Sequence, residues 1–356
     1  MSSAHDFDPD APADASGGLF GLSHGPGEAR VRVLGVPFDA TTSYRRGAAR
    51  GPEAILRASH QVDLLDLQQQ GWPGGDGRPW QAGIHLELDA EVAAWNDEVA
   101  PAAAAIHEVG GRVGDDPALQ AAIDRIDELG TRLNERVRRW TAEQLSAGRV
   151  PVVLGGDHSV PFGAIQAAAA HRPGLGLLHV DAHADLRPAY EGFRWSHASI
   201  LHNLLEGCPE LGEVLSVGLR DLGEVEVRRI ESEPRVQAVL GHDWGQARCR
   251  GENLASRVAR ELECLPREVW VTFDIDGLEP SWCPGTGTPV PGGLTWDEAL
   301  LWLGALVESG RRIVGLDLCE VSPGAGEPAE EDSWDAIVGA RLLYKLIGAA
   351  VASQHS

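Results

Sequence analysis

A chain of 356 residues, 43% of them apolar, can bury a large core, while 53 acidic against 30 basic residues give a formal charge of −23. That balance argues against nucleic acid or an anionic membrane as a partner, because both reward a basic face. The five cysteines (Cys208, Cys249, Cys264, Cys283, Cys319) lie far apart, are odd in number and contain no CxxC pair. They exclude a disulfide framework and a thiolate zinc knuckle as working expectations and fit reduced thiols in a cytoplasmic protein.

In chain order, residues 1–28 are acidic and rich in Ala, Pro, Gly and Ser, which predicts a flexible leader. With no basic start and no apolar run, they read as neither signal peptide nor anchor. The apolar run 31–36 predicts a first strand ending at Pro37, followed by a polar loop over 39–50. Gly51-Pro52-Glu53 opens a helix, with proline at a tolerated early position. Residues 68–84, rich in Gln, Gly, Pro and Trp, predict an irregular connection. Helical patterns cover 89–108 and 116–147, the second carrying Leu119, Ile123, Ile126, Leu129, Leu133 and Val137 as a core-facing stripe. From residue 150, apolar runs at 152–154, 175–180, 214–217, 236–240, 269–273 and 313–316 alternate with helix-like segments, and a last helix covers 336–350. Short, wholly apolar runs between helices predict a parallel sheet buried on both faces. No repeat or linker divides 29–356, which therefore reads as a single domain, and no stretch is long enough to span a bilayer.

Three polar clusters sit where apolar runs end: Gly155-Gly156-Asp157-His158-Ser159, Asp181-Ala182-His183-Ala184-Asp185, and Asp274-Ile275-Asp276. Ligands of open parallel sheets collect outside the carboxyl ends of the strands, so the three clusters can meet in one crevice. In an extended strand end Asp181, His183 and Asp185 would point the same way, as would Asp274 and Asp276. Each motif alone also fits a cap or a turn. All three together are hard to explain as unpaired buried acids. With His158 they offer four carboxylates and two imidazoles, more than one ion needs. Oxygen-rich sites with a little imidazole suit manganese or magnesium better than zinc, with nickel and cobalt as alternatives.

On these residues the chain resembles the ureohydrolase family of arginases, agmatinases, guanidino-acid hydrolases and formimidoylglutamases. The matching segments are GGDHS (155–159), DAHADLR (181–187) and TFDIDGLEPSWCPGTGTPVPGG (272–293), together with the agmatinase-like entry loop GVPFDATTSYRRGAARGPEAI (35–55). The similarity runs from about residue 30 onward, with 60–150 its least typical stretch. It implies an α/β fold, a three-layer αβα arrangement around a central, mainly parallel sheet of about eight strands. It also implies two Mn²⁺ ions, one held by His158, Asp181, Asp185 and Asp274, the other by Asp181, His183, Asp274 and Asp276. A hydroxide shared by the two ions would attack the guanidino or formimino carbon.

The resemblance further implies that His197 relays a proton to the leaving nitrogen, as suits a group titrating near working pH, and that Glu320 pairs with the substrate guanidinium. The competing readings are a loop histidine that starts a helix and a strand-end acid that caps a turn. Arg187 matches the DLR of formimidoylglutamase-like members and would clamp a substrate carboxylate; Glu191 and Arg194 share its loop and offer either charge. Gly285-Thr286-Gly287-Thr288-Pro289 would shape a loop beneath the metals. His179 reads as a satisfied core histidine, and Trp195 and Trp282 as core packing. The expected substrate is a small guanidino compound such as agmatine, giving urea and an amine, with formiminoglutamate or a guanidino acid as the alternative. A deacetylase-like single-zinc hydrolase and a non-catalytic scaffold are the competitors from other classes. A homo-oligomer, trimer or hexamer, is implied by the resemblance alone.

Overall fold

The computed structural model describes residues 7–14, 16–324 and 333–355. Its strands are β1 (Val31–Val36), β2 (Ile84–Leu88), β3 (Val150–Gly155), β4 (Leu175–Val180), β5 (Leu211–Leu219), β6 (Val236–Leu240), β7 (Glu268–Asp274) and β8 (Arg312–Cys319). They form one sheet in the order β2-β1-β3-β8-β7-β4-β5-β6, and each neighbouring pair is parallel. β1, β3 and β4 are buried at every position, so both faces of the sheet need cover, which helical crossovers supply. Along β7, Val269, Val271 and Phe273 join one apolar cluster with Trp302 and Leu343, whereas Trp270 joins a second with Leu129 and Ile165. Helices α1 (Gly51–Ser59), α6 (Trp296–Glu308) and α7 (Trp334–Ala352) supply the first cluster. Helices α2 (Ala90–Glu108), α3 (Pro117–Ser146), α4 (Phe162–His171) and α5 (Ile200–Gly207) supply the second. The three-layer αβα architecture follows from that alternation.

Helices α2 and α3 begin where expected because Asp89 and Asp116 cap them, each accepting from two backbone N–H groups of the first turn. Two expectations need correction. β2 begins at the end of the supposed irregular connection; an edge strand with one neighbour and half-buried side chains lacks the apolar run that marked the others. The supposed flexible leader is folded in part: Leu19, Phe20 and Leu22 are buried, Phe20 N donates to Ser59 Oγ at 2.8 Å, and the Phe20 ring packs edge-on against Tyr344. Residues 1–6 lie outside the described residues. Among the described residues no helix is long and apolar enough to cross a membrane, and all five cysteines are free.

Candidate metal centre

The four central strands β3, β8, β7 and β4 are consecutive neighbours in the sheet. Their carboxyl ends lead into Asp157-His158, Glu320, Asp274-Ile275-Asp276 and the 181–185 segment, so clusters far apart in sequence share one end of the sheet. At the β3 end the chain turns against the Phe38 backbone: Asp157 N donates to the Phe38 carbonyl at 2.8 Å, and a Cβ at Gly156 would collide with that carbonyl. Asp157 itself is occupied by Thr41 and Ser159, which leaves His158 to face the cluster.

His158 Nδ1 lies 2.9 Å from Asp181 Oδ2, 3.3 Å from Asp185 Oδ2 and 3.5 Å from Asp274 Oδ2. His183 Nδ1 lies 3.1 Å from Asp276 Oδ2 and 3.4 Å from Asp181 Oδ1. Asp181 therefore belongs to both groups. The residues do not converge in the way an extended strand end would arrange them, because β4 stops at Val180 and Asp185 takes a left-handed backbone with φ +54. Asp276 likewise sits in a short turn after β7, its N–H donating to Asp274 Oδ1 at 2.8 Å. His179 is buried as expected, yet it is also part of the centre: its Nε2 lies 3.1 Å from Asp181 Oδ2 and its Nδ1 3.0 Å from Ser216 Oγ.

All four aspartates are buried. Burial, then the charges of Asp276, Asp181 and Glu320, pushes Asp274 well above the usual carboxylate range, and burial with the Asp181 charge raises Asp185. Burial also works against ionised Asp181, but hydrogen bonds from three imidazoles outweigh it and hold that group well below the usual range. Burial disfavours the His183 cation too, while Asp276 and Asp181 overcome it and raise the ring to about 12. Asp185 Oδ2 has no hydrogen-bond partner. A buried set of mutually repelling carboxylates with an orphaned oxygen fits cations, since buried charge is retained when it is paired or bound to metal. Among the described residues His158, His179, Asp181 and Asp185 form one group that could hold a metal ion, Asp181, His183 and Asp276 a second, and His158, Asp317 and Cys319 a third.

His197 and Glu320 stand together beside this cluster. His197 Nδ1 lies 3.1 Å from Glu320 Oε1, and its Nε2 lies 3.1 Å from Ser43 Oγ on the entry loop. Burial lowers the basicity of His197, but the Glu320 hydrogen bond and charge outweigh it and raise its pKa to about 9. Glu320 has φ +62 and accepts the His158 N–H on Oε1 at 3.0 Å; its Oε2 is buried without a partner. The glycine-rich loop supports both neighbours, Thr286 Oγ1 donating to the Glu320 carbonyl at 2.8 Å and Thr288 Oγ1 to Asp276 Oδ2 at 3.2 Å.

A cavity of about 140 Å³ opens from Asp274, Asp185 and His197 toward Arg187, Tyr190, Asp221 and Glu226. Arg187 does line it, but not as a free cation: its Nε is 3.5 Å from Glu226 Oε2 and its guanidinium lies 4.6 Å above the Tyr190 ring. Glu191 and Arg194 are turned away. Glu191 pairs with His107, and Arg194 lies 4.8 Å from the ring of Trp195, which packs on Phe162. Sequence reasoning missed Thr272, Asp317, Ser43, Asp221 and Glu226. Three had left a signal: Thr272 and Ser43 lie inside the matching segments 272–293 and 35–55, and Asp317 is an acid inside an otherwise apolar run.

The model of the Arginase family matches residues 29–348. The chain is 35% identical to an N(1)-aminopropylagmatine ureohydrolase of Thermus thermophilus over 93% of this chain and 94% of that one. It is 31% identical to the agmatinase of Bacillus anthracis over 86% of this chain and 89% of that one. The crystal structure of agmatine ureohydrolase of Thermoplasma volcanium superimposes with a TM-score of 0.67 at 25% identity, covering 98% of this chain and 96% of that one. With its sheet, its acidic cluster and its relatives in agreement, the chain belongs to the arginase family, hydrolases that act on guanidino C–N bonds.

Proposed function

We propose that the chain hydrolyses a guanidino compound with a cationic alkyl tail, agmatine or an aminopropyl-extended agmatine, to urea and an amine, with two Mn²⁺ ions as cofactor. The observation that carries this is Glu320: Oε1 is taken by His158 and His197, while Oε2 is buried and free. A buried, unpaired carboxylate oxygen matches a planar cation that can donate N–H groups to it. His158, Asp181, Asp185 and Asp274 would hold one ion, and Asp181, His183, Asp274 and Asp276 the other. When bound, the two ions supply an activated water as the nucleophile near neutral pH. The oxygen-dominated donor set favours manganese over zinc, with nickel and cobalt as the alternatives.

In this scheme Glu320 orients the guanidinium, and His197, fixed at both ring nitrogens by Glu320 and Ser43, keeps a proton for the leaving nitrogen. The cavity rim supports a cationic tail: Arg187 is already paired with Glu226, and Asp221 adds a further carboxylate. A formimidoylglutamase or guanidino-acid hydrolase would instead need Arg187 free to clamp a carboxylate. The name of the Thermus relative agrees with a polyamine-like tail. A cytoplasmic homo-oligomer, trimer or hexamer, completes the proposal. Urea release from agmatine, aminopropylagmatine, guanidino acids and formiminoglutamate, with manganese supplied, tests it. Urea from the cationic-tailed substrates is expected; formamide from formiminoglutamate, or urea from guanidino acids alone, overturns it.

A further inference from the structure

The segment 187–197 faces two ways. One side gives Arg187, Tyr190 and His197 to the cavity. The other side is docked on α2, α3 and their connection, which among the described residues contribute neither to the cavity nor to the acidic cluster. At the tip, Tyr190 and Phe193 exchange N–H···O bonds of 3.2 and 2.9 Å around Glu191-Gly192, whose φ values are +52 and +92. Two central residues with positive φ are the mark of a type I′ hairpin turn, where Asn, Asp or Gly is favoured. Glu191 therefore sits in a strained conformation that something must hold.

Its carboxylate supplies the holding contact, reaching His107 Nδ1 at 2.5 Å near the end of α2, with both side chains largely buried. Gly111, in the connection, lies directly under Glu191, where a Cβ would strike the Glu191 backbone. Farther along, Arg194 N donates to Asp127 Oδ1 at 3.0 Å and the Trp195 indole to Thr131 Oγ1 at 2.9 Å, both on α3. The loop is fastened on its outer side from tip to base, two residues short of His197.

We infer that the α2–α3 hairpin is the mount of the 187–197 loop, and that His107 and Glu191 are positioning residues whose contact steadies the backbone that carries His197, while Glu320, Ser43 and Thr41 hold His197 itself. This rests on the role proposed above for His197. Proton transfer depends steeply on donor position, and a tip released from His107 has no reason to keep its left-handed glutamate.

The test uses the full, manganese-loaded chain with Glu191→Ala, which keeps the backbone strain but removes the carboxylate, Glu191→Gln, which keeps an acceptor, and His107→Leu. Amide hydrogen exchange across 187–199, kcat, KM and bound metal are measured together. Glu191→Ala and His107→Leu are expected to speed exchange over 190–197 by about tenfold or more. They are expected to lower kcat about tenfold with KM within about threefold of the parent and metal content unchanged, the signature of a displaced catalytic group. Glu191→Gln should fall between these variants and the parent. Exchange as slow as in the parent overturns the inference, as does faster exchange with an unchanged kcat, or metal lost together with activity. The exchange measurement needs no substrate. If no guanidino compound yields urea, the proposed function fails while the mount is still decided.

Discussion

His158 and Asp317 are joined through a single hydroxyl: Thr272 Oγ1 lies 2.9 Å from His158 Nε2 and donates to Asp317 Oδ1 at 2.8 Å. The sheet makes this possible, because register places Thr272 beside Asp317 on the adjoining strand. Asp317 is held in turn by the Trp270 indole at 2.6 Å. With Thr272 turned toward Asp317, its oxygen is placed to accept an Nε2 proton from His158, which, with a cation bound, would leave the Nδ1 lone pair for the ion, an orientation metal-binding histidines commonly take from their outer partners. Thr272→Val, close to isosteric, should weaken metal binding about 10- to 100-fold without unfolding the chain. Metal titration of the metal-free protein, followed by calorimetry, measures it; an affinity within twofold of the parent would separate Thr272 from the centre.

Asp181 Oδ2 lies 2.9 Å from His158 Nδ1 and 3.1 Å from His179 Nε2, and its Oδ1 lies 3.4 Å from His183 Nδ1, so it is the residue whose loss touches both proposed ions. Asp181→Ala should abolish metal retention and turnover together, whereas full activity in that variant would remove the two-ion scheme. Chelation should also lower the melting temperature, since it returns the buried carboxylates to mutual repulsion. At free metal a thousandfold above Kd, each ion stabilises the folded state by about 4 kcal/mol. Thermal melts with and without chelator, and after manganese is restored, check the sign.

The sequence carried the architecture because seven of the eight strands are marked by apolar runs, and β2, an edge strand, is the one that is not. The residues at the centre were legible for a related reason: charged side chains at the ends of wholly apolar strands contrast with everything around them. What stayed hidden depended on backbone geometry or on register. The turn that sends Asp185 to His158 needs φ +54, which no spacing rule anticipates. The link from His158 to Asp317 exists only because β8 lies between β3 and β7, which come far apart in the chain. Glu191 and Arg194 illustrate the converse. Their position on the loop was legible, but the side they face is fixed by α2 and α3.

His197 should give the activity profile its basic limb. Burial opposes the cation, but Glu320 raises the folded pKa to about 9, against an ordinary value of 6.5. A raised pKa means that the pairing stabilises the fold fully below pH 6.5 and that this contribution is lost as pH rises through about 9. The proton available to the leaving nitrogen disappears over the same interval. Turnover at saturating substrate should therefore fall above about pH 9 in the parent. His197→Asn should lower kcat by about 100-fold or more and flatten that limb. A limb of the same position and depth in the variant would assign it to another group.

Asp221 and Arg187 should pull substrate choice in opposite directions. Asp221 is exposed at the cavity rim, so its attraction for a cationic tail is screened by water and amounts to about 1 kcal/mol, roughly fivefold in affinity. Asp221→Asn should raise KM by about that factor for agmatine-like substrates and leave kcat close to the parent. Arg187 shares the rim as a cation already engaged by Glu226 and Tyr190. Removing it in Arg187→Ala takes the counter-charge from Glu226, whose oxygens stay bonded to the Leu186 and Gly223 N–H groups, so KM for cationic tails should hold or fall, while KM for any carboxylate-bearing substrate that turns over should rise. Steady-state kinetics on one substrate of each kind separates the two residues. An equal rise in KM for both kinds after Arg187→Ala would mean that the arginine shapes the wall through its stacking on Tyr190 and does not discriminate by charge.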